Sequence, residues 1–302
     1  SDLIGKNGSG KTLLLGNLLD GLIELKRQKY SSLVEVEDNK YLKVGKKDYI
    51  KNSEDYSHIN IRFENDQQFA TYTDLMSNLN HADFITKHGV RNFEGQNDNK
   101  FKENGFYKRC NIPNKDILKC FDTNIISFFP HSRYDHPAWL NKNTKIGFSF
   151  SERFIDQDNK SIIKHDVIKE VETWILDCLL DREIYEKRLL NVPNYPLQMF
   201  AGYQGKNSDI INLINELLSI IYKSKFPNLQ SARIGIGAKN RRSISIFVTE
   251  YDQEYKVSPS FSHVSSGEAM LLSLFTALLK EYDDLGMQVT KLEDVKGIVI
   301  ID

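Results

Sequence analysis

Cysteine is scarce in this chain of 302 residues: Cys110, Cys120 and Cys178 are the whole complement, and no two of them make a CxxC pair. So sparse and odd a set argues against a disulfide scaffold and favours a reducing, cytoplasmic setting. Net charge is also missing. Forty Lys and Arg stand against forty-one Asp and Glu, which leaves −1. That balance excludes a uniformly basic nucleic-acid coat and an acidic tail protein, while local basic patches remain open. No apolar run reaches the roughly 18 to 20 residues that cross a bilayer, so no membrane is expected. The seven histidines form no HExxH, there is no Gly-x-Ser-x-Gly elbow, and no cysteine is placed for nucleophilic work. Internal repeats and a long heptad pattern are absent too. An initiator Met and a signal peptide do not precede Ser1, and the chain closes on a strand with no turn after it. Both ends therefore read as cut from a longer protein.

What is present is an ordinary globular composition, 40% hydrophobic and 27% charged. It is enough for a packed core, in one large domain or two. Leucines at 13, 14, 15, 18, 19, 22 and 25 have the spacing of a helix over Thr12 to Lys29. Ser32 to Val44 and Ser57 to Thr73 are richer in β-branched and aromatic residues, and the second stretch reads as a hairpin turning at Asn65-Asp66. Residues 76 to 114 show no period and read as irregular. Ile125 to Phe129 is a short strand stopped by Pro130. Helical patterns run over 164 to 190 and 209 to 222. A hairpin over 233 to 249 carries a basic tip, Lys239 to Arg242, and Gln253 to Val257 adds a third strand. An apolar helix follows over Gly267 to Tyr282.

Gly5-Lys6-Asn7-Gly8-Ser9-Gly10-Lys11-Thr12 fits the pattern G-x-x-x-x-G-K-[ST] at every position. Glycines let the backbone wrap a phosphate and turn its N–H groups inward, and the following helix offers its positive end. Asn7, Gly8, Ser9, Gly10, Lys11 and Thr12 are the nucleotide-binding candidates. Lys11 would reach the β- and γ-phosphates, and Thr12 would ligate Mg²⁺. The bland alternative is a Gly/Ser turn that ends in Lys-Thr.

Two further motifs stand near the other end. Ser265-Ser266-Gly267-Glu268 directly precedes the apolar helix. By itself it is an ordinary capped helix start. Gly297-Ile298-Val299-Ile300-Ile301-Asp302 is an apolar run that delivers a carboxylate, and by itself it is a plain buried strand. Phosphate loop, Ser-Ser-Gly-Glu, helix, then apolar strand with Asp is the order of an ABC-type ATPase. On these residues the chain resembles an ATPase head of the soluble SMC, RecF and OLD kind. The spellings GKNGSGKT and SSGE are closer to these than to transporter ATPases. The wide gap between the motifs is filled by mixed β and helical material, not an SMC rod.

That resemblance implies an α/β P-loop NTPase fold: a mixed sheet with the phosphate-loop and Asp302 strands side by side, an antiparallel β portion and a helical insertion. The division it suggests is a first lobe over 1–75, an insertion over 76–229 from which strand 124–130 returns to the ATPase sheet, and a second lobe over 230–302. It implies ATP and Mg²⁺ as cofactors, with Thr12 and Asp302 at the metal. Ser265, Ser266, Gly267 and Glu268 would complete the site of a partner subunit in a homodimer or higher oligomer clamped by ATP. The catalytic Glu would come just after Asp302, leaving Arg133 as a candidate within the chain. Residues 128–141 resemble a segment of bacterial anti-phage defence ATPases, Septu- or retron-associated. The function so implied is ATP hydrolysis that controls a nuclease or toxin partner. The other reading is a DNA-clamping ATPase of genome maintenance and repair.

Weaker constellations have bland explanations of equal or greater weight. Arg133 can simply pair with Asp135. His131, Asp135 and His136 lie in a turn that Pro130 and Pro137 already make rigid. Gln67 or Gln68 is open to two readings, a metal-sensing glutamine or a solvated turn residue, and the Lys239–Arg242 tip is a nucleic-acid contact or a solvated hairpin end.

Overall fold

The computed structural model describes residues 10–30, 47, 50–65, 68–89, 93–130, 161–164, 167–191, 198–237 and 243–302. The chain divides into two compact units, one of residues 1–122 with 158–162 and 302, the other of 123–157 with 163–301.

The first unit is built on helix α1 (Lys11–Arg27) and an antiparallel sheet. Strands β1 (Tyr56–Asn65) and β2 (Gln68–Ser77) pair along their full length from Tyr56↔Ser77 to Asn65↔Gln68, as the alternating pattern predicts. Residues 76 to 114 are not irregular. They hold α2 (His81–His88), α3 (Asn99–Asn104) and strand β3 (Phe106–Asn111), which pairs antiparallel with β2 from Met76↔Phe106 to Thr71↔Asn111. Helices this short display too few turns for an apolar period to show. Their ends are nevertheless marked: Asn80 and Asp98 cap the starts through their side chains, and Gly89 and Gly105 close the ends. Leu75, Phe84, Phe101 and Tyr107 bury together beneath them. The first leucines of α1 face water, Leu13 and Leu14 included, and burial begins further along at Leu19, Leu22, Ile23 and Leu25.

The second unit has its core among three helices, α4 (Ile168–Asp181), α5 (Lys206–Tyr222) and α6 (Ser266–Asp284). The antiparallel sheet β7 (Leu229–Ile236), β8 (Ile244–Glu250) and β9 (Gln253–Ser258) packs into the same core, and its turn at 238–242 lies outside the described residues. Helix α4 ends at Asp181, earlier than its apolar spacing predicts. One wide turn of π-helix over Arg182–Glu186 follows, and then a ribbon of β5 (Lys187–Asn191) and β6 (Gln198–Tyr203). The strand over Ile125–Phe129, β4, pairs in parallel with β10 (Gly297–Ile301), from Gly297↔Ile125 to Ile301↔Phe129. The two backbones come so close at Gly297 that a Cβ there would run into Ile125.

A single mixed sheet is not what the described residues form. They make four small sheets, three of them antiparallel and one the parallel β4–β10 pair. Short turns favour antiparallel neighbours, whereas parallel pairing needs a long crossover such as the one between β4 and β10. Nor is β10 the buried strand its sequence predicts. Ile298, Val299 and Ile301 are exposed and Ile300 alone is buried, because among the described residues β10 has a neighbour on one edge only. No helix among the described residues is long and apolar enough to cross a membrane.

Candidate functional site

Helix α1 begins at Lys11, directly after Gly10, whose φ of 84° is a left-handed conformation that suits glycine. Gly10, the N-cap residue, has no side chain with which to cap this start, and no acidic residue sits in its first turn. A helix start turns its leading N–H groups and the positive end of its dipole toward any anion bound there. Lys11 and Thr12 stand in that first turn. Asn7, Gly8 and Ser9 lie outside the described residues.

Thr12 Oγ1 donates a hydrogen bond of 3.0 Å to Asp302 Oδ1, across 290 positions of sequence. The pair is solvent-accessible. A hydroxyl and a carboxylate held together in water are hard oxygen donors of the kind that Mg²⁺ accepts, with room for the waters it retains. The donor set at the head of α1 thus fits a magnesium–phosphate group: Thr12 and Asp302 on the metal, the helix start and Lys11 toward the anion. When bound, such an ion would draw charge from the phosphate oxygens.

Ser265, Ser266, Gly267 and Glu268 open α6 in a capping box. Ser265 Oγ accepts from Glu268 N at 3.4 Å, and Glu268 Oε2 accepts from Ser265 N at 2.9 Å. Glu268 also lies 3.5 Å from Lys225 Nζ. Within the chain, then, the outer residues of the tetrad act as a cap. Gly267 is not explained that way. Its φ is not in the left-handed region, and a Cβ there would meet nothing within 4 Å. Glycine near a helix start is less favourable than alanine by up to about 1 kcal/mol, and nothing in this fold requires it.

The approach to this helix start is tightly held. Phe261 is fully buried in a one-turn 3₁₀ helix, Phe261–His263, and its backbone N–H donates to the buried Glu172 of α4 at 3.0 Å. Burial pushes the Glu172 carboxyl up to about 7, while the Phe261 N–H works in the other direction. Ser260 Oγ and His263 Nδ1 share a 2.7 Å hydrogen bond, and Ser258 Oγ donates to the Ser260 carbonyl at 2.7 Å. The far end of α6 is anchored as well. Its acidic last turn, unfavourable toward the helix dipole, is met by Lys206 on Asp283 at 2.6 Å, Lys164 on Glu281 at 2.5 Å and Lys280 on Asp284 at 2.9 Å. Trp174 Nε1 donates to Asp283 at 2.8 Å. Sequence reading missed Glu172, since a lone Glu in a helical pattern carries no local signal of a partner 89 positions away.

Other candidates divide as follows. Arg133, the His131–Asp135–His136 turn, Gln67 and the Lys239–Arg242 tip lie outside the described residues. Gln68 is the first residue of β2, paired with Asn65 at the hairpin turn. Among the described residues no group of three or more His, Cys, Asp or Glu gathers as a metal cage. Cys110, Cys120 and Cys178 form no disulfide, and burial pushes Cys110 up to about 11, away from nucleophilic chemistry. No family model matches this chain, and no curated protein matches it.

Proposed function

We propose that this chain is an ATP-binding and ATP-hydrolysing head of the ABC type, which closes on a second head around ATP·Mg²⁺. The observation that carries the reading is the Thr12–Asp302 hydrogen bond. The sequence assigns these two residues to one metal from motifs at opposite ends of the chain, and their side chains meet. The glycine N-cap of α1 and the unexplained Gly267 support the same reading.

In this proposal Lys11 and the first N–H groups of α1 bind and neutralise the phosphates. Thr12 and Asp302 orient the metal-bearing face of the nucleotide. Ser265, Ser266 and Gly267 meet the γ-phosphate of the nucleotide held by the other head, where the missing Cβ of Gly267 permits close backbone approach. The downstream role is control of a nuclease or toxin partner in bacterial anti-phage defence, and it rests on residues 128–141 of the sequence alone.

Calorimetric titration with ATP tests the assignment. Lys11→Ala should weaken binding by about a hundredfold or more, the loss of a charge-assisted contact. Thr12→Ala and Asp302→Asn should each remove most of the Mg²⁺ dependence of binding while leaving a residual metal-free affinity. Unchanged affinity in Lys11→Ala would overturn the nucleotide site. Mg²⁺ dependence that survives both other variants would overturn the metal pair.

A further inference from the structure

Glu172 is an acid set into the apolar stripe of α4. Ile168 lies four residues before it, Ile175 and Leu176 three and four residues after it, and all three are buried. Glu172 itself is 5% exposed. Among the described residues its partner is the Phe261 backbone N–H, at 3.0 Å, and no cation pairs with it. Burying a carboxyl without a countercharge works against the fold. A leucine would fill the stripe without that penalty, but it could not accept a hydrogen bond.

The bond falls where the chain has to be fixed. Phe261 opens the 3₁₀ turn between β9 and α6, four residues before the N-cap Ser265. Its ring is fully buried in the core of the second unit. From the sheet side, Ser243 Oγ and Ser245 Oγ donate to the Pro259 carbonyl at 2.6 and 3.1 Å. His263 N closes the turn on the Ser260 carbonyl at 3.1 Å. The segment that enters α6 is thus held by serines from β8 and its approach, and by Glu172 from α4. Ser265, Ser266 and Gly267 beyond it are exposed, so the turn behind them sets where they sit.

We infer that Glu172 is the positioning residue of the Ser265–Gly267 contact: by holding the Phe261 N–H from α4, it aims the start of α6 at the γ-phosphate bound by a second head. The inference rests on the proposed function of that contact and names the residue that sets its geometry. A phosphate contact works only when it is held in its productive place, so a slack turn behind it is enough to lose the effect.

Hydrogen exchange of the nucleotide-free chain, and sedimentation of the chain with ATP and Mg²⁺, test it together. In Glu172→Leu the amides of 261–268 should exchange at least about tenfold faster, while those of α5 and β7 keep their wild-type rates. Calorimetric ATP affinity should equal wild type, yet the ATP-driven dimer should weaken at least about tenfold. Glu172→Gln keeps an oxygen for the Phe261 N–H and should restore both readouts. Glu172→Asp keeps the acid but shortens its reach, and should resemble Glu172→Leu, so the test stands even where the leucine variant does not fold. Trp174→Phe removes the bond to Asp283 at the far end of α6 and should leave both readouts at wild type. Unchanged exchange at 261–268, acceleration spread equally over α5 and β7, or ATP-driven dimerisation equal to wild type in the leucine and aspartate variants would each overturn this inference alone. A wild type that binds ATP and stays monomeric would overturn the clamp, and this inference with it.

Discussion

Single side chains in this protein are set by what surrounds them more than by their own identity. Glu172 is the clearest case. Its buried carboxyl is raised from the usual range to about 7, so between pH 4.5 and 7 the folded chain keeps a proton that the unfolded chain has released. Stability from this group is fully present below pH 4.5 and is lost as pH rises through 7, to the extent of roughly 3 kcal/mol. Glu172→Gln keeps an oxygen for the Phe261 N–H and removes the charge. The variant should match wild type at pH 5 and melt several degrees higher at pH 8. Equal midpoints at both pH values in thermal unfolding would show that Glu172 is not the source of the pH dependence. Legibility in the sequence divides along the same physical line. That Thr12 and Asp302 meet was legible because the proposed phosphate and metal chemistry would fix residue types at fixed spacing. Glu172 was not, because its role depends on a tertiary partner.

Elements were legible where one face is buried against the rest and illegible where it is not. The β1–β2 hairpin shows alternation and a turn, and α5 and α6 show an apolar stripe, so their existence follows from spacing. The β5–β6 ribbon buries neither face, so its leucines merge with the apolar series of α4 and mimic a longer helix. At α6 the same element invites two accounts, a capped helix start and a phosphate contact for another subunit. Gly267→Asp separates them. A carboxylate near a helix start is favourable, and there is open space at this position, so the thermal midpoint should not fall. Under the proposed function, ATP binding should persist while phosphate release by the protein extended past Asp302 drops at least tenfold, since the new charge opposes the γ-phosphate. Turnover equal to wild type would leave the tetrad as a cap alone.

At the scale of the whole molecule, the chain folds into two compact units, each drawn from separate stretches of sequence. The lobes read from motif order cut through β2 at residue 75, whereas β3 keeps residues up to 111 on the same sheet. Motif order records chemistry and does not record which strand pairs with which. The parallel β4–β10 pair also sets the timing of biosynthesis. Ile125 and Phe129, almost fully buried in the finished fold, leave the ribosome more than half the chain ahead of the strand they pair with. At roughly 5 to 20 residues per second the wait is on the order of ten seconds, far longer than local collapse. Nascent chains stalled before Gly297 should therefore be cut readily by protease around 125–129. Chains extended past Asp302 by a spacer long enough to clear the exit tunnel should be protected there. Until β10 emerges, that apolar strand is open to any holding chaperone that scans the growing polypeptide.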